Sequence, residues 1–280
     1  LAHYNADVKR YLRRKAKLMS RHTFAICAYG QSPYLRECIE STLDQTQSGS
    51  EVYIATSTPS EWLDGLATEY GLPVYVNLGE RGIGQDWNFA VGCATGDYVT
   101  VAHQDDVYCR RYVEVACAML DDDESAIVFF SNYGELRNGE PVDDNKLLST
   151  KRRLLAGLAD GRNAHSKSAR RRAMSLGNAY CCPSATLNMR VVPSPPFHTG
   201  MKSNLDWDTW ERLSRLDGGF YYSSEILMYH RIHEGSTTTS LIEDNTRSTE
   251  DYEMLCRFWP RPVAGLINRV YGMSEKSNKV

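Results

Sequence analysis

The 280-residue chain predicts an α/β fold, with a mostly parallel central sheet flanked by helices in a single large domain. Three observations predict it. Short apolar runs alternate with stretches whose apolar residues recur at helical spacing, the pattern of strand–helix–strand units. The composition, 42% hydrophobic and 24% charged, is enough to bury a sizeable core. No apolar run reaches the ~20 residues that span a bilayer.

The first strand is read over residues 23–28, TFAICA, bounded by Tyr29-Gly30. A helix follows, with Ser32 as its cap, Pro33 in its first turn, and Leu35, Ile39 and Leu43 at helical spacing. Val52–Thr56 is the second strand, and Thr58-Pro59-Ser60-Glu61 reads as a capping box opening a helix that ends at Gly71. Pro73–Asn77 is the third strand, 85–94 the third helix, and Tyr98–Ala102 the fourth strand. Beyond it the pattern is less regular. Ala126–Ser131 is strand-like, 151–176 is basic and expected to be partly mobile, and 177–189 is apolar with a Cys-Cys-Pro break. A helix over 206–216 carries Trp207, Trp210 and Leu213, and a strand runs near Tyr221–Tyr229. In the tail, Pro260 and Pro262 divide the helical pattern in two. The expected organisation is a basic leader at 1–22, a catalytic domain at 23–240 (halves 23–120 and 121–240), and a helical tail at 241–280.

The net charge of −3 conceals a division. Segments 1–22, 151–172 and 256–280 together carry +17, which leaves −20 on the rest. An acidic body argues against a nucleic-acid-binding core, which shows a continuous basic face. The basic ends are amphipathic, with Val8, Tyr11 and Leu12 in one and Phe258, Trp259, Leu266 and Ile267 in the other. Either they pack onto the body or they give peripheral contact with an anionic membrane. The eight cysteines form no Cys-x-x-Cys pair, so neither a zinc site nor a disulfide framework is suggested, and a reducing, cytoplasmic setting is expected.

Open parallel sheets bind ligands beyond the carboxyl ends of their strands. There the sequence sets Tyr29-Gly30, Thr56-Ser57-Thr58, Asn77 and His103-Gln104-Asp105-Asp106. Adjacent acids at the mouth of an apolar strand need a cation or strong donors, so Asp105 and Asp106 either meet Mg²⁺ or Mn²⁺ or cap the next helix. Gly79–Gly84 is glycine-rich, but it has neither dinucleotide-fingerprint nor P-loop spacing. Asp206-Trp207-Asp208 sets acids beside an aromatic, as in sugar sites, or else caps a helix whose tryptophans are core. In Tyr229-His230-Arg231-Ile232-His233, strand alternation puts Arg231 and His233 on one face, suited to a diphosphate and its metal.

Four segments, in order, resemble the family-2 glycosyltransferases of the GT-A fold: FAICAYGQSPYLRECIESTLDQT, GIGQDWNFAVGCATGDYVTVAHQDDVY, NLDWDTWERL and YHRIHEGSTT. The resemblance implies inverting transfer from a nucleotide-diphosphate sugar to an acceptor hydroxyl on a carbohydrate or lipid-linked acceptor. It implies Asp206 as base, Asp106 and His233 as ligands of Mn²⁺ or Mg²⁺, and Asp105 against the donor's ribose or the metal shell. Tyr29, Ser57, Gly82, His103 and Arg231 would contact the nucleotide sugar, and Trp207 and Asp208 would face the acceptor. Three positions depart from the family pattern: His103 stands where the motif's first acid is usual, Ser57 follows the second strand where acids hold the base, and Trp87 replaces an arginine. Two alternatives stay open. One is a catalytically silent carbohydrate- or nucleotide-binding module. The other is a sugar nucleotidylyltransferase, although AYGQSPYLRE lacks the glycine-rich loop those proteins share.

Overall fold

The computed structural model describes residues 22–233 and 246–275. The basic leader up to 21, with Val8, Tyr11 and Leu12, and the Glu234–Thr238 end of the closing segment lie outside the described residues.

Strands β1 (His22–Ala28), β2 (Glu51–Thr56), β3 (Val74–Val76) and β4 (Tyr98–His103) are all parallel and stand in the order β3-β2-β1-β4. Helices α1 (Leu35–Leu43), α2 (Glu61–Tyr70) and α3 (Ile83–Cys93) connect them. Alternation along β1 divides the core. Phe24 and Ile26 pack with Leu35, Ile39, Leu63 and Leu66 on one face, whereas Ala25 packs with Ala90, Val91, Trp207 and Trp210 on the other. The strand order reverses between β1 and β4, which opens a crevice at their carboxyl ends.

Beyond β4 the sheet is mixed. After β5 (Val107–Tyr108) and α4 (Tyr112–Asp121), β6 (Ala126–Arg137) makes a short hairpin with β7 (Glu140–Val142). Helices α5 (Lys146–Leu155) and α6 (Lys167–Ala173) then lead to β8 (Ala185–Asn188). Strand β8 inserts antiparallel between β4 and β6, so the Cys181-Cys182-Pro183 segment before it returns to the carboxyl end of β4. Helix α7 (Leu205–Leu213) precedes β9 (Gly219–Ile232), which lies parallel to β6 and sets Tyr229 opposite Val107. The register thus delivers His230 and Arg231 beside Asp105 and Asp106. Helices α8 (Thr246–Leu255) and α9 (Arg261–Glu275) close the described chain.

Several local expectations are corrected. Ser32 is not the cap of α1; Tyr34 is, without a side-chain cap bond, and the Ser32 hydroxyl instead accepts from the Tyr34 N–H at 3.3 Å. Ser60, not Thr58, caps α2, accepting from the Leu63 N–H at 3.2 Å, because Thr58 is used to accept from the Gly30 N–H at 2.7 Å. Gly71 ends α2 as expected, at φ 65°. The segment expected to be partly mobile holds the end of α5 and all of α6, and Arg170 within it is fully buried, donating to the carbonyls of Ser214, Gly218 and Leu216. No helix among the described residues is long and apolar enough to cross a membrane.

Candidate active site

Strand β4 carries His103 to the crevice, and the turn after it presents Gln104, Asp105 and Asp106. The Gln104 side chain ties this turn to the loop after β1, accepting from the Tyr29 N–H at 2.9 Å and donating to the Tyr29 carbonyl at 3.1 Å. Asp106 is fully buried, and its Oδ1 accepts from the Arg231 backbone N–H and from His230 Nδ1, both at 2.9 Å. Burial alone would lower the pKa of His230. The charge and hydrogen bond of Asp106, with Asp105 nearby, outweigh it and raise the imidazole to about 9. An imidazolium therefore neutralises Asp106 inside the protein at neutral pH. Asp105 keeps 18% of its side chain exposed, and its Oδ2 accepts from His233 Nε2 at 2.9 Å. Burial would raise its carboxyl, but the His233 hydrogen bond and the surrounding histidines hold it below the usual carboxylate range. The two acids thus differ in setting. Asp106 is the sealed anchor, and Asp105, paired with His233, is the acid open to the crevice.

Arg231 is tied into the same turn. Its side chain is buried, with Nε donating to the Asp105 carbonyl at 2.9 Å, Nη2 donating to Glu37, and the guanidinium 4.4 Å over the Tyr34 ring. It braces the acidic turn against α1.

On the neighbouring strands, Ser57 is buried and its hydroxyl donates to Asp86 Oδ2 at 2.8 Å, while Asn77 Nδ2 donates to Asp86 Oδ1 at 2.7 Å. A carboxylate therefore does stand at the ends of β2 and β3, supplied from α3. Reading along β2 alone missed it, because the acid comes from an element 29 residues further on. Gly82 caps α3 at φ 148°, where a Cβ would stand 2.4 Å from Gln85 Oε1, so only glycine turns the chain into this helix without strain. Trp87 stacks on His103 at 5.1 Å and 18° and also meets the edge of Phe197. His103 Nε2 and Asp106 Oδ2 are buried with no hydrogen-bond partner among the described residues. Tyr29 stands 68% exposed at the lip.

Across the crevice, the tail fixes the start of α7. Glu250 of α8 accepts from the N–H groups of Lys202, Ser203 and Asn204 at 2.7, 2.8 and 3.0 Å, and Asp251 accepts from Asn204 Nδ2 at 2.7 Å. Asp206, two residues on, accepts from Asn178 Nδ2 at 2.6 Å and from the Trp207 N–H at 2.8 Å. Burial raises its carboxyl above the ordinary aspartate value; these bonds and the charges of Arg247 and Lys151 offset that only in part. Burial pushes up the thiol of Cys181, and the charges of Asp106 and Asp206 add to it. Gly84 of α3 closes the other side, where a Cβ would stand 3.0 Å from Leu205.

Trp207 and Asp208, expected at the acceptor, are both turned into the protein. Trp207 is fully buried in the core, and Asp208 is buried in an ion cluster with Arg212 at 2.9 Å, Arg257 at 2.6 Å and His198 at 3.2 Å. Helical periodicity explains this, because 207 and 210 share the inward face of α7 and leave Asp206 on the edge toward the crevice. Sequence reasoning also missed Lys151, whose charge reaches Asp206, His230 and Cys181. Nothing in its spacing distinguished it from the other bases of its segment.

Among the described residues, no three His, Cys, Asp or Glu side chains are arranged to hold an ion unaided. Asp105 and His233 do offer one carboxylate and one imidazole. Mg²⁺ and Mn²⁺ at phosphate sites commonly take one or two protein ligands and complete their shells with phosphate oxygens and water. The donor set fits such an ion in the company of a diphosphate.

The family model of glycosyl transferase family 2 matches residues 23–192. This chain belongs to that family. The family-2 chain is 21% identical, over 82% of its length and 68% of the relative's, to an uncharacterized glycosyltransferase of Rickettsia typhi, and 24% identical over the same shares to one of Rickettsia prowazekii. Its fold is that of several solved glycosyltransferases. A mannosyltransferase of Pyrobaculum calidifontis, in complex with GDP-Man and Mn²⁺, has a TM-score of 0.63 at 14% identity, covering 99% of this chain and 79% of that one. TarS of S. aureus, residues 1–349 with UDP-GlcNAc, gives 0.59 at 17% identity over 89% and 70%. Glucosyl-3-phosphoglycerate synthase of Mycobacterium tuberculosis, with Mn²⁺, UDP and glucosyl-3-phosphoglycerate, gives 0.55 at 17% identity over 87% and 81%.

Proposed function

We propose that this glycosyltransferase moves a sugar, with inversion, from a nucleotide-diphosphate sugar to a hydroxyl of a carbohydrate or lipid-linked acceptor, in polysaccharide or glycoconjugate synthesis. The observation that carries the reading is a buried carboxylate of raised pKa, Asp206, held by Asn178 at the start of α7, in a fold whose β4 end presents the Asp105–His233 pair. Asp206 takes the acceptor proton as the hydroxyl oxygen attacks the anomeric carbon from the face opposite the leaving diphosphate. Its raised pKa makes it the stronger base, and Asn178 and the Trp207 N–H hold it in place. Tyr29, Ser57, Asp86 and Gly82 line the side toward the nucleotide, with Asp86 in the position to read the base. His103, stacked on Trp87, forms the floor between nucleotide and sugar. Asp105 and His233 would hold Mn²⁺ or Mg²⁺, which when bound supplies charge stabilisation to the leaving diphosphate. Lys151 adds a cation on the acceptor side. The nucleotide-sugar complexes of the structural neighbours support the donor class.

The test pairs binding with turnover. A thermal-shift panel of UDP, GDP, dTDP and CDP, with and without Mn²⁺, is run on the wild type, Asp105→Ala and Asp206→Asn. Nucleotide at ~100 times its dissociation constant stabilises by ~2.7 kcal/mol, an easily read shift. One nucleotide should give a Mn²⁺-dependent shift that Asp105→Ala loses and Asp206→Asn keeps. Turnover in Asp206→Asn should fall ~10²–10⁴-fold. Unchanged turnover removes Asp206 from the mechanism, and binding without turnover in the wild type favours the silent module.

A further inference from the structure

Helix α9 is amphipathic, with one broad apolar face of which only part is used against the body. Ala264 is fully buried and Ile267 packs against the core, so the tail does dock on the body. Its outer side carries Val263, Leu266 and Val270, exposed by 41, 64 and 63%. At 100° per residue these three fall within a narrow stripe. Trp259, at the turn before α9, continues the stripe, with its indole N–H fixed to the Ser175 carbonyl at 2.7 Å. Leu176 adds another exposed apolar side chain, at 46%.

Trp259 and Leu176 also line a cavity of about 590 Å³, together with Arg153, Leu154, Arg172 and Phe258. Two further arginines in its wall, Arg171 and Arg257, are already paired with Glu211 and Asp208. Arg153 and Arg172 have no ion-pair partner among the described residues, nor do Arg261 and Arg269 on α9. Residues 257–274 contain no acid. An aliphatic stripe headed by a tryptophan and flanked by unpaired arginines matches the headgroup–acyl boundary of an anionic bilayer. It does not match a second copy of this chain, since a two-fold contact would face the arginines with their own images.

The geometry points to this face as a membrane-docking surface: Trp259, Val263, Leu266 and Val270 enter the interface of an anionic lipid bilayer, while Arg153 and Arg172 receive lipid phosphates at the cavity mouth. Leu176 lies two residues from Asn178, the partner of Asp206, so docking sets the crevice close to the membrane plane. The surface is independent of the chemistry at Asp206, and a binding measurement reads it without turnover.

Flotation of the full chain with vesicles of phosphatidylcholine, alone or mixed with phosphatidylglycerol, tests it. The wild type should float with the mixed vesicles at low salt and not with phosphatidylcholine alone. Arg153→Gln/Arg172→Gln should weaken binding about 30-fold, at ~5-fold for each basic group near an anionic surface. Val263→Ser/Leu266→Ser/Val270→Ser should weaken it by at least about 10-fold through lost apolar burial. Both variants should keep the wild-type melting temperature, because all five side chains are at least partly exposed and none holds an ion pair; if the apolar variant unfolds, the arginine pair decides alone. Absence of wild-type flotation at low salt overturns the inference. So does wild-type binding by both variants, which moves the contact elsewhere in the chain. A dimer in sedimentation that the apolar variant abolishes would replace the bilayer with a second copy.

Discussion

Replacing His230 by Asn keeps a neutral amide donor near Asp106 Oδ1 but removes a charge. His230 is 27% exposed and Asp106 is fully buried, so water screens this pair only weakly. The native imidazole is raised from its ordinary 6.5 to about 9, because the Asp106 charge and hydrogen bond exceed the opposing effect of burial. At ~1.36 kcal/mol per pH unit, that difference corresponds to about 3 kcal/mol of stability as a ceiling. The folded value exceeds the unfolded one, so folding holds the proton. The contribution is complete below about 6.5 and is lost as pH rises through about 9. Urea denaturation of wild type and His230→Asn, in chelator to exclude bound cations, measures it. The wild type should be the more stable by up to about 3 kcal/mol at pH 6, with the gap closing toward pH 10. A gap that stays constant across that range would refute the buried imidazolium, and with it the neutralised Asp106 on which the assignment of Asp105 to the crevice depends.

Two further outcomes follow from the hydrogen bonds around the crevice. Glu250→Gln weakens a carboxylate that accepts three backbone N–H groups, so it should cost about 1–3 kcal/mol in urea and lower kcat by letting the start of α7 move, although Glu250 lies on the tail. Unchanged kcat would leave the tail a purely structural element. Asp86→Asn removes the charge that Ser57 and Asn77 orient; nucleotide affinity by calorimetry should fall about 10-fold or more, and equal affinity for the preferred nucleotide would show that Asp86 does not reach the base.

The first half of the fold was readable because each of its signals is local. The apolar run TFAICA, the glycine at the end of α2 and the helical spacing of Leu35, Ile39 and Leu43 act within a few residues of where they appear. The acidic turn and the His-Arg-Ile-His strand were readable as chemistry for the same reason, since residue type and position on a strand are local properties. Their division of labour was not. Whether Asp105 or Asp106 is sealed depends on β9 arriving beside β5 with His230 opposite Asp106, a pairing of residues 124 apart in the chain. Similarly, Asp86 replaces the acids absent after β2 only because α3 folds back over Ser57 and Asn77. The tail reaches Asp206 only because Glu250 meets the N–H groups before α7. Sequence by itself determined the parallel strand–helix units, the family and the residue types of the crevice, all of which follow from local backbone preference and apolar period. Tertiary structure alone decided which carboxylate is neutralised, which arginine is a brace and which tryptophan is core, because burial and ion pairing are set by partners that only the folded chain brings together.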